Sequence, residues 1–240
     1  SINEKSEDAR ALADDIDIRL ATATFNRVIR EQRSWQEKSD EVTIIKNLSA
    51  RFESLNSKLR LFSNNYGLVH AIDIVDPANH ITIASSEPLN IGKKNPAIAE
   101  MAIDSSPSRG RYAALGPHSP DAELQLILAQ KIFHPETDKS LNRTSGLLLL
   151  MIDIDLLVPQ LVHNQISETS MEPLLVDSMG YSFTPLKHKV SEPLSYKIKA
   201  LPATLASIGH EGIIATEDYR GEPVLAVFRH IQLSSSMGWG

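Results

Sequence analysis

Arg109, Arg111 and Tyr112 stand together in "SRGRYAALG", residues 108–116. Arginine offers a forked, permanently charged donor for carboxylate or phosphate, and tyrosine offers a ring wall with a polar tip. The trio therefore suits a pocket for a small anion. A solvated charged turn at the start of a strand accounts for the same three residues. A second candidate is the pair Asp153 and Asp155 in "MIDIDLL". Alternation along a continuing strand puts both carboxylates on one side, as a catalytic pair or a cation site requires. If Asp155 instead caps a following helix, Asp153 alone ends a strand of apolar residues. A carboxylate there needs a donor, from the protein or from a cationic group on a ligand.

Other chemistry is thinly represented. The sequence has no HExxH, no GxxxxGK[ST], no GxGxxG after a strand and no GxSxG. Its eight histidines show no metal-ligand spacing, and there is no cysteine, so thiolate metal sites, disulfides and cysteine nucleophiles are excluded. No base and nucleophile fall together, which leaves no catalytic residue to name, no metal and no cofactor to expect. A net charge of −6, with lysines and arginines scattered through the chain, argues against a nucleic-acid partner.

The elements that carry these residues follow from periodicity. Residues 7–62 contain neither Gly nor Pro. Leu12, Ile16, Leu20 and Ala23 form one helical stripe, and Ile18, Phe25 and Ile29 a second. A longer apolar seam runs through Val42, Ile45, Leu48, Phe52, Leu55, Leu59 and Phe62 after a polar connection around Trp35. From residue 68 the period becomes two: "LVHAIDIV" and "HITIAS" flank a turn at 76–79 and read as a hairpin. A short helix at 95–103 follows, then strands near 110–115, 123–133 and 146–153, and a helix after Asp155. The plan recurs from Met171: a hairpin turning at 178–180, a short helix at 200–208, and two strands around Arg220 and Gly221. Helices and antiparallel strands in this order make an α+β chain. No apolar run reaches the length that crosses a membrane.

Four stretches together resemble the double Cache family, the tandem PAS-like extracytoplasmic sensors of bacterial histidine kinases, diguanylate cyclases and chemoreceptors. They are the long N-terminal helix leading into "NNYGLVHAIDIVDPANHITIASS", the join "GLLLLMIDIDLL", the hairpin "LLVDSMGYSFTPL" and the terminal "DYRGEPVLAVFRHIQLSSSMGWG". The resemblance implies a long N-terminal helical segment at 1–65, a membrane-distal PAS-like module at 66–168 and a membrane-proximal one at 169–240. Each module is expected to be an antiparallel sheet flanked by helices. It implies a non-enzymatic, periplasmic sensor of a transmembrane receptor, most often a histidine kinase, with membrane helices before Ser1 and after Gly240. Pairing of two copies along the N-terminal helix is expected. The ligand is expected in the distal module, against "SRGRYAALG", "ELQLILAQ" and "MID". That names Arg109, Arg111, Tyr112, Gln125 and Asp153, with an amino acid, organic acid or amine as the class. Asp153 matches the aspartate that holds the ligand amine in the family's amino-acid-binding branch. That branch's Arg-x-Trp-Tyr element is absent, since "SRGRYAAL" has no Trp. A diguanylate cyclase or chemoreceptor output, or a periplasmic domain that recognises a protein partner, remains open beside the histidine-kinase reading.

Overall fold

The computed structural model describes residues 2–35, 52–65, 67–95, 112–117, 124–135, 144–154, 156–157, 170–189, 194–232 and 238–240. The chain divides into two compact units, 1–154 and 155–240. The expected helices at 95–103 and after Asp155 fall largely outside the described residues, as does the first part of the apolar seam.

Unit 1 begins with helices α1 (Ile2–Asp14) and α2 (Ile16–Trp35), followed by α3 (Glu53–Asn65). The sequence predicts one helix over 7–34, but the structure breaks it at Asp15. The Asp15 carboxylate accepts from the backbone N–H groups of Asp17 and Ile18, at 3.0 and 3.2 Å, so it caps the start of α2. Lys58 of α3 donates to the same carboxylate at 2.7 Å and ties the two helices together. That ion pair, with the two backbone donors, holds the Asp15 carboxyl below the ordinary aspartate range. The break decides which stripe packs: Leu12, Ile18, Thr22 and Phe25 are buried, whereas Ile16 and Leu20 are exposed.

The sheet of unit 1 has five strands in the order β2-β1-β5-β4-β3. They are β1 (Val69–Val75), β2 (Thr82–Ser85), β3 (Tyr112–Pro117), β4 (Leu124–Phe133) and β5 (Thr144–Asp153), with every pairing antiparallel. β5 is central, and its eight residues from Ser145 to Ile152 are all buried, which explains a strand apolar on both sides. Gly146 lies on the face turned to α2. A Cβ added there would sit 2.8 Å from Thr22 Cγ2, so the helix approaches the sheet only because that position lacks a side chain. Arg19 of α2 donates to the carbonyls of Phe133 and His134, both at 3.0 Å, and fixes the helix against the end of β4. The opposite face carries the buried apolar cluster Ala71, Val75, Ile127, Ala129, Leu147, Leu149 and Met151.

Unit 2 contains α4 (Leu201–Ser207), the hairpin of β6 (Gly212–Glu217) and β7 (Pro223–Phe228), and the pair β8 (Ile231–Gln232) and β9 (Gly238–Trp239). Val176 and Gly240 exchange backbone hydrogen bonds of 2.8 and 2.9 Å, which brings the last residues beside the segment 175–183. Gly240 runs so close to α4 that an added Cβ would lie 2.5 Å from Ala206 Cβ. Trp239, fully buried, packs against Phe183 with ring centroids 4.7 Å apart.

The contact at Gly146 is testable by urea denaturation. Gly146→Ala should cost about 1–3 kcal/mol of stability by overpacking against Thr22. Adding Thr22→Ala should recover most of that loss. A loss unchanged in the double variant would place the strain elsewhere.

Candidate ligand site on the sheet of unit 1

Strand alternation and register define the face opposite α2. Gln125 of β4 and Asp153 of β5 are direct cross-strand partners. In such a pair the Cβ atoms lie about 5 Å apart on one face. Along β4 and β5 the same face continues as Ile127, Ala129, Leu147, Leu149 and Met151, with Lys131 across from Leu147 at the far end, so Gln125 and Asp153 close one end of a largely apolar floor. The Gln125 side chain is 4% exposed, and its Oε1 has no hydrogen-bond partner among the described residues. A buried amide oxygen left without a donor costs about 1–3 kcal/mol, a cost that a ligand N–H or O–H directed at it would remove. Asp153 is half-buried, and its backbone N–H donates to Leu68 O at 3.3 Å, which joins the end of β5 to the start of β1.

The structure therefore brings Gln125 and Asp153 together. Tyr112 opens β3 opposite Ala129, four residues along β4 from Gln125, or roughly 13 Å along the strand. It belongs to a different cross-strand row from the Gln125–Asp153 pair. Arg109, Arg111 and Asp155 lie outside the described residues. Arg220, the charged residue of the turn between β6 and β7, donates to Asp218 Oδ2 from Nη2 and Nε at 2.6 and 2.8 Å, so the turn itself accounts for it.

One further carboxylate on this face escaped the sequence reading. Asp73 of β1 lies between Ala71 and Val75 in the alternation, and it pairs across the sheet with Ser85 on one side and Leu149 on the other. It is fully buried. Ser85 Oγ donates to its Oδ1 at 2.5 Å, Asn90 Nδ2 donates to Oδ1 at 3.4 Å, and Thr82 Oγ1 donates to Oδ2 at 3.5 Å. Ser85 Oγ in turn accepts from the Glu87 backbone N–H at 2.8 Å, which links the network to the turn Pro88–Asn90. Burial pushes the Asp73 carboxyl up to about 6; the three donors pull against that, and the charge of Glu87 adds to the rise. The signal was legible in "HAIDIV", where an acidic residue interrupts a buried strand just as Asp153 ends one.

No family model matches the sequence, and no curated protein sequence matches it. Solved structures do. An extracellular ligand binding receptor from Desulfohalobium retbaense is 12% identical with a TM-score of 0.55; the match covers 99% of this chain and 38% of that one. The periplasmic sensory domain of the Campylobacter jejuni chemoreceptor Tlp1 is 14% identical with a TM-score of 0.50, covering all of this chain and 94% of that domain. The extracellular domain of rpHK1S-Z16 is 13% identical with a TM-score of 0.49, covering 98% of this chain and 90% of that one. The chain is an α+β chain whose fold is similar to that of the Desulfohalobium receptor and the Tlp1 domain. At these identities the likeness concerns the fold, and it agrees with the architecture expected from the Cache resemblance. No helix among the described residues is long and apolar enough to cross a membrane.

Asp73 makes stability depend on pH. Its folded-state pKa of about 6 exceeds the ordinary value of 3.8, so its stabilising contribution is full below pH 3.8 and is lost as pH rises through 6. Between pH 4 and 7, the stability of wild type relative to Asp73→Asn should fall by on the order of 3 kcal/mol in urea unfolding. A difference independent of pH over that range would refute the assignment.

Proposed function

We propose that this chain is the extracytoplasmic sensing part of a transmembrane signalling receptor, and that unit 1 binds a small molecule on the sheet face bearing Gln125 and Asp153. The observation that carries this reading is the Gln125 Oε1, buried without a donor among the described residues and directly across from a carboxylate, at the end of an apolar floor. Two acceptors side by side select a ligand group rich in N–H, such as an ammonium. The apolar residues beyond them suit an aliphatic or aromatic body. Arg109, Arg111 and Tyr112 are assigned to a ligand anion, which makes an amino acid, an organic acid or an amine the class to screen.

The output we assign is a sensor histidine kinase, with the present chain contributing recognition and no catalysis. Membrane segments on either side of it belong to the same proposal, as does pairing of two copies along α2, where Ile16 and Leu20 are exposed, once those membrane segments hold the copies together. A chemoreceptor output is the second reading, and the likeness to the Tlp1 sensory domain supports it. In either case a ligand acts by binding one arrangement of the domain more tightly than another.

The test is a thermal-shift screen of the chain against amino acids, amines and organic acids, followed by calorimetric titration of the hits. Asp153→Asn should weaken a hit by about tenfold or more, the loss expected when a charged hydrogen bond is removed. Gln125→Leu should abolish the same binding while leaving the melting temperature unchanged or higher, because it replaces an unpartnered buried acceptor with an apolar group. Full affinity in both variants would sink the assignment of this face.

A further inference from the structure

The hairpin of β6 and β7 has two unlike faces. Its even-numbered positions, among them Ile214, Ala226 and Phe228, are half-buried. The odd-numbered face is open: Ile213 is 68% exposed, Leu225 72% and Val227 74%, with Ala215 exposed between them. Isolated exposed aliphatics are ordinary. Three large ones on adjacent, regular strands form a contiguous apolar surface, which marks an interaction site.

The residues at the edges of this surface indicate what covers it. The ladder pairs Ile213 with Val227, Ala215 with Leu225 and Glu217 with Pro223 and ends at Gly212 with Phe228; Glu211 and Arg229 are the next residues beyond that end on the two strands. Both Glu211 and Arg229 are exposed. A twofold axis parallel to the strands would lay each residue over the cross-strand partner of its counterpart in a second copy. Small Ala215 would then meet large Leu225, Ile213 would meet Val227, and Glu211 would meet Arg229, each contact occurring twice. Opposite charges and complementary volumes fall into register under that single operation, as an isologous interface requires. A twofold axis across the strands gives a poorer match, since it lays Glu217 over Glu211 of the other copy.

We infer that the open face of β6 and β7 is a self-association surface, on which a second copy of this chain packs to form a small two-layered sandwich. It belongs to unit 2, and the inference does not depend on what unit 1 binds. A patch of four aliphatic side chains is small beside stable interfaces and fits weak, reversible association in the micromolar range or weaker.

Analytical ultracentrifugation of the 240-residue chain across a concentration series tests this. Wild type should show a reversible monomer–dimer equilibrium, and Leu225→Lys should be monomeric throughout. Glu211→Arg should raise the dissociation constant by about tenfold, and Glu211→Arg combined with Arg229→Glu should restore it, as expected for a charge pair swapped across an interface. All the altered residues are exposed, and an unchanged circular-dichroism melt identifies variants that keep the fold. A wild-type chain that stays monomeric at several hundred micromolar overturns the proposal. So does a dimer that survives Leu225→Lys, or a double charge swap that fails to restore association.

Discussion

The structure of unit 1 depends on one strand that water never reaches. From Ser145 to Ile152 every residue of β5 is buried, with β1 and β4 hydrogen-bonded to its two edges. A strand buried on both faces presents its even positions to one layer and its odd positions to another. Gly146, Leu148, Leu150 and Ile152 face the helical layer, and Leu147, Leu149, Met151 and Asp153 form the opposite surface. Burying a side chain of this kind stabilises the fold by roughly 1.5–3 kcal/mol, so β5 contributes more per residue than any exposed element. It also sets the register of its neighbours, because a slip of one residue would send each apolar set to the wrong layer.

That constraint gives meaning to the polar residues on the face away from α2. Gln125, Asp73 and Asp153, with half-buried Lys131 across from Leu147, interrupt a surface otherwise made of apolar groups, and Gln125 and Asp73 are almost wholly buried. Asp73 is enclosed by Ser85, Asn90 and Thr82, so it ties β1 to β2 and the following turn. Gln125 differs in kind, since its carbonyl oxygen has no such donor among the described residues. A group of the first sort holds a sheet edge in place, whereas one of the second sort is suited to receive a donor from outside. Both occur on one face, about four residues apart along the strands. Under the proposed sensing role, a rigid floor with a prepared acceptor at one end would let ligand binding favour one arrangement of the domain.

Much of this was legible in the sequence where two signals coincided. Hydrophobic pattern bounded by turn residues found β1, β2, β4, β5 and the pair β6–β7 within one to three residues, because strands carry a strong local pattern. The N-terminal helix was found, but its break was not. Asp15 sits between two helical stretches with no Gly or Pro to announce it, and only its capping geometry and Lys58, 43 residues away, reveal the discontinuity. Asp153 was legible as a carboxylate ending an apolar strand. Its partnership with Gln125 was not legible from local pattern, because register between β4 and β5 is a long-range property. Asp73 was overlooked for a different reason: a polar residue inside a half-alternating strand reads as solvent-facing until the pairing shows both faces covered. The open face of β6 and β7 was hidden in the same way, since alternation alone does not say which of two apolar sets is buried.

The central claim is that a small molecule occupies the sheet face of unit 1 that bears Gln125 and Asp153. Methyl NMR of the isotope-labelled chain, titrated with a hit from the ligand screen, tests it most directly. The account predicts shifts concentrated at Ile127, Leu149 and Met151, with the methyls of Leu126, Leu148 and Leu150 on the helix side little changed. Shifts confined to the helix side, or to methyls of unit 2 such as Leu186 and Ile198, would contradict it.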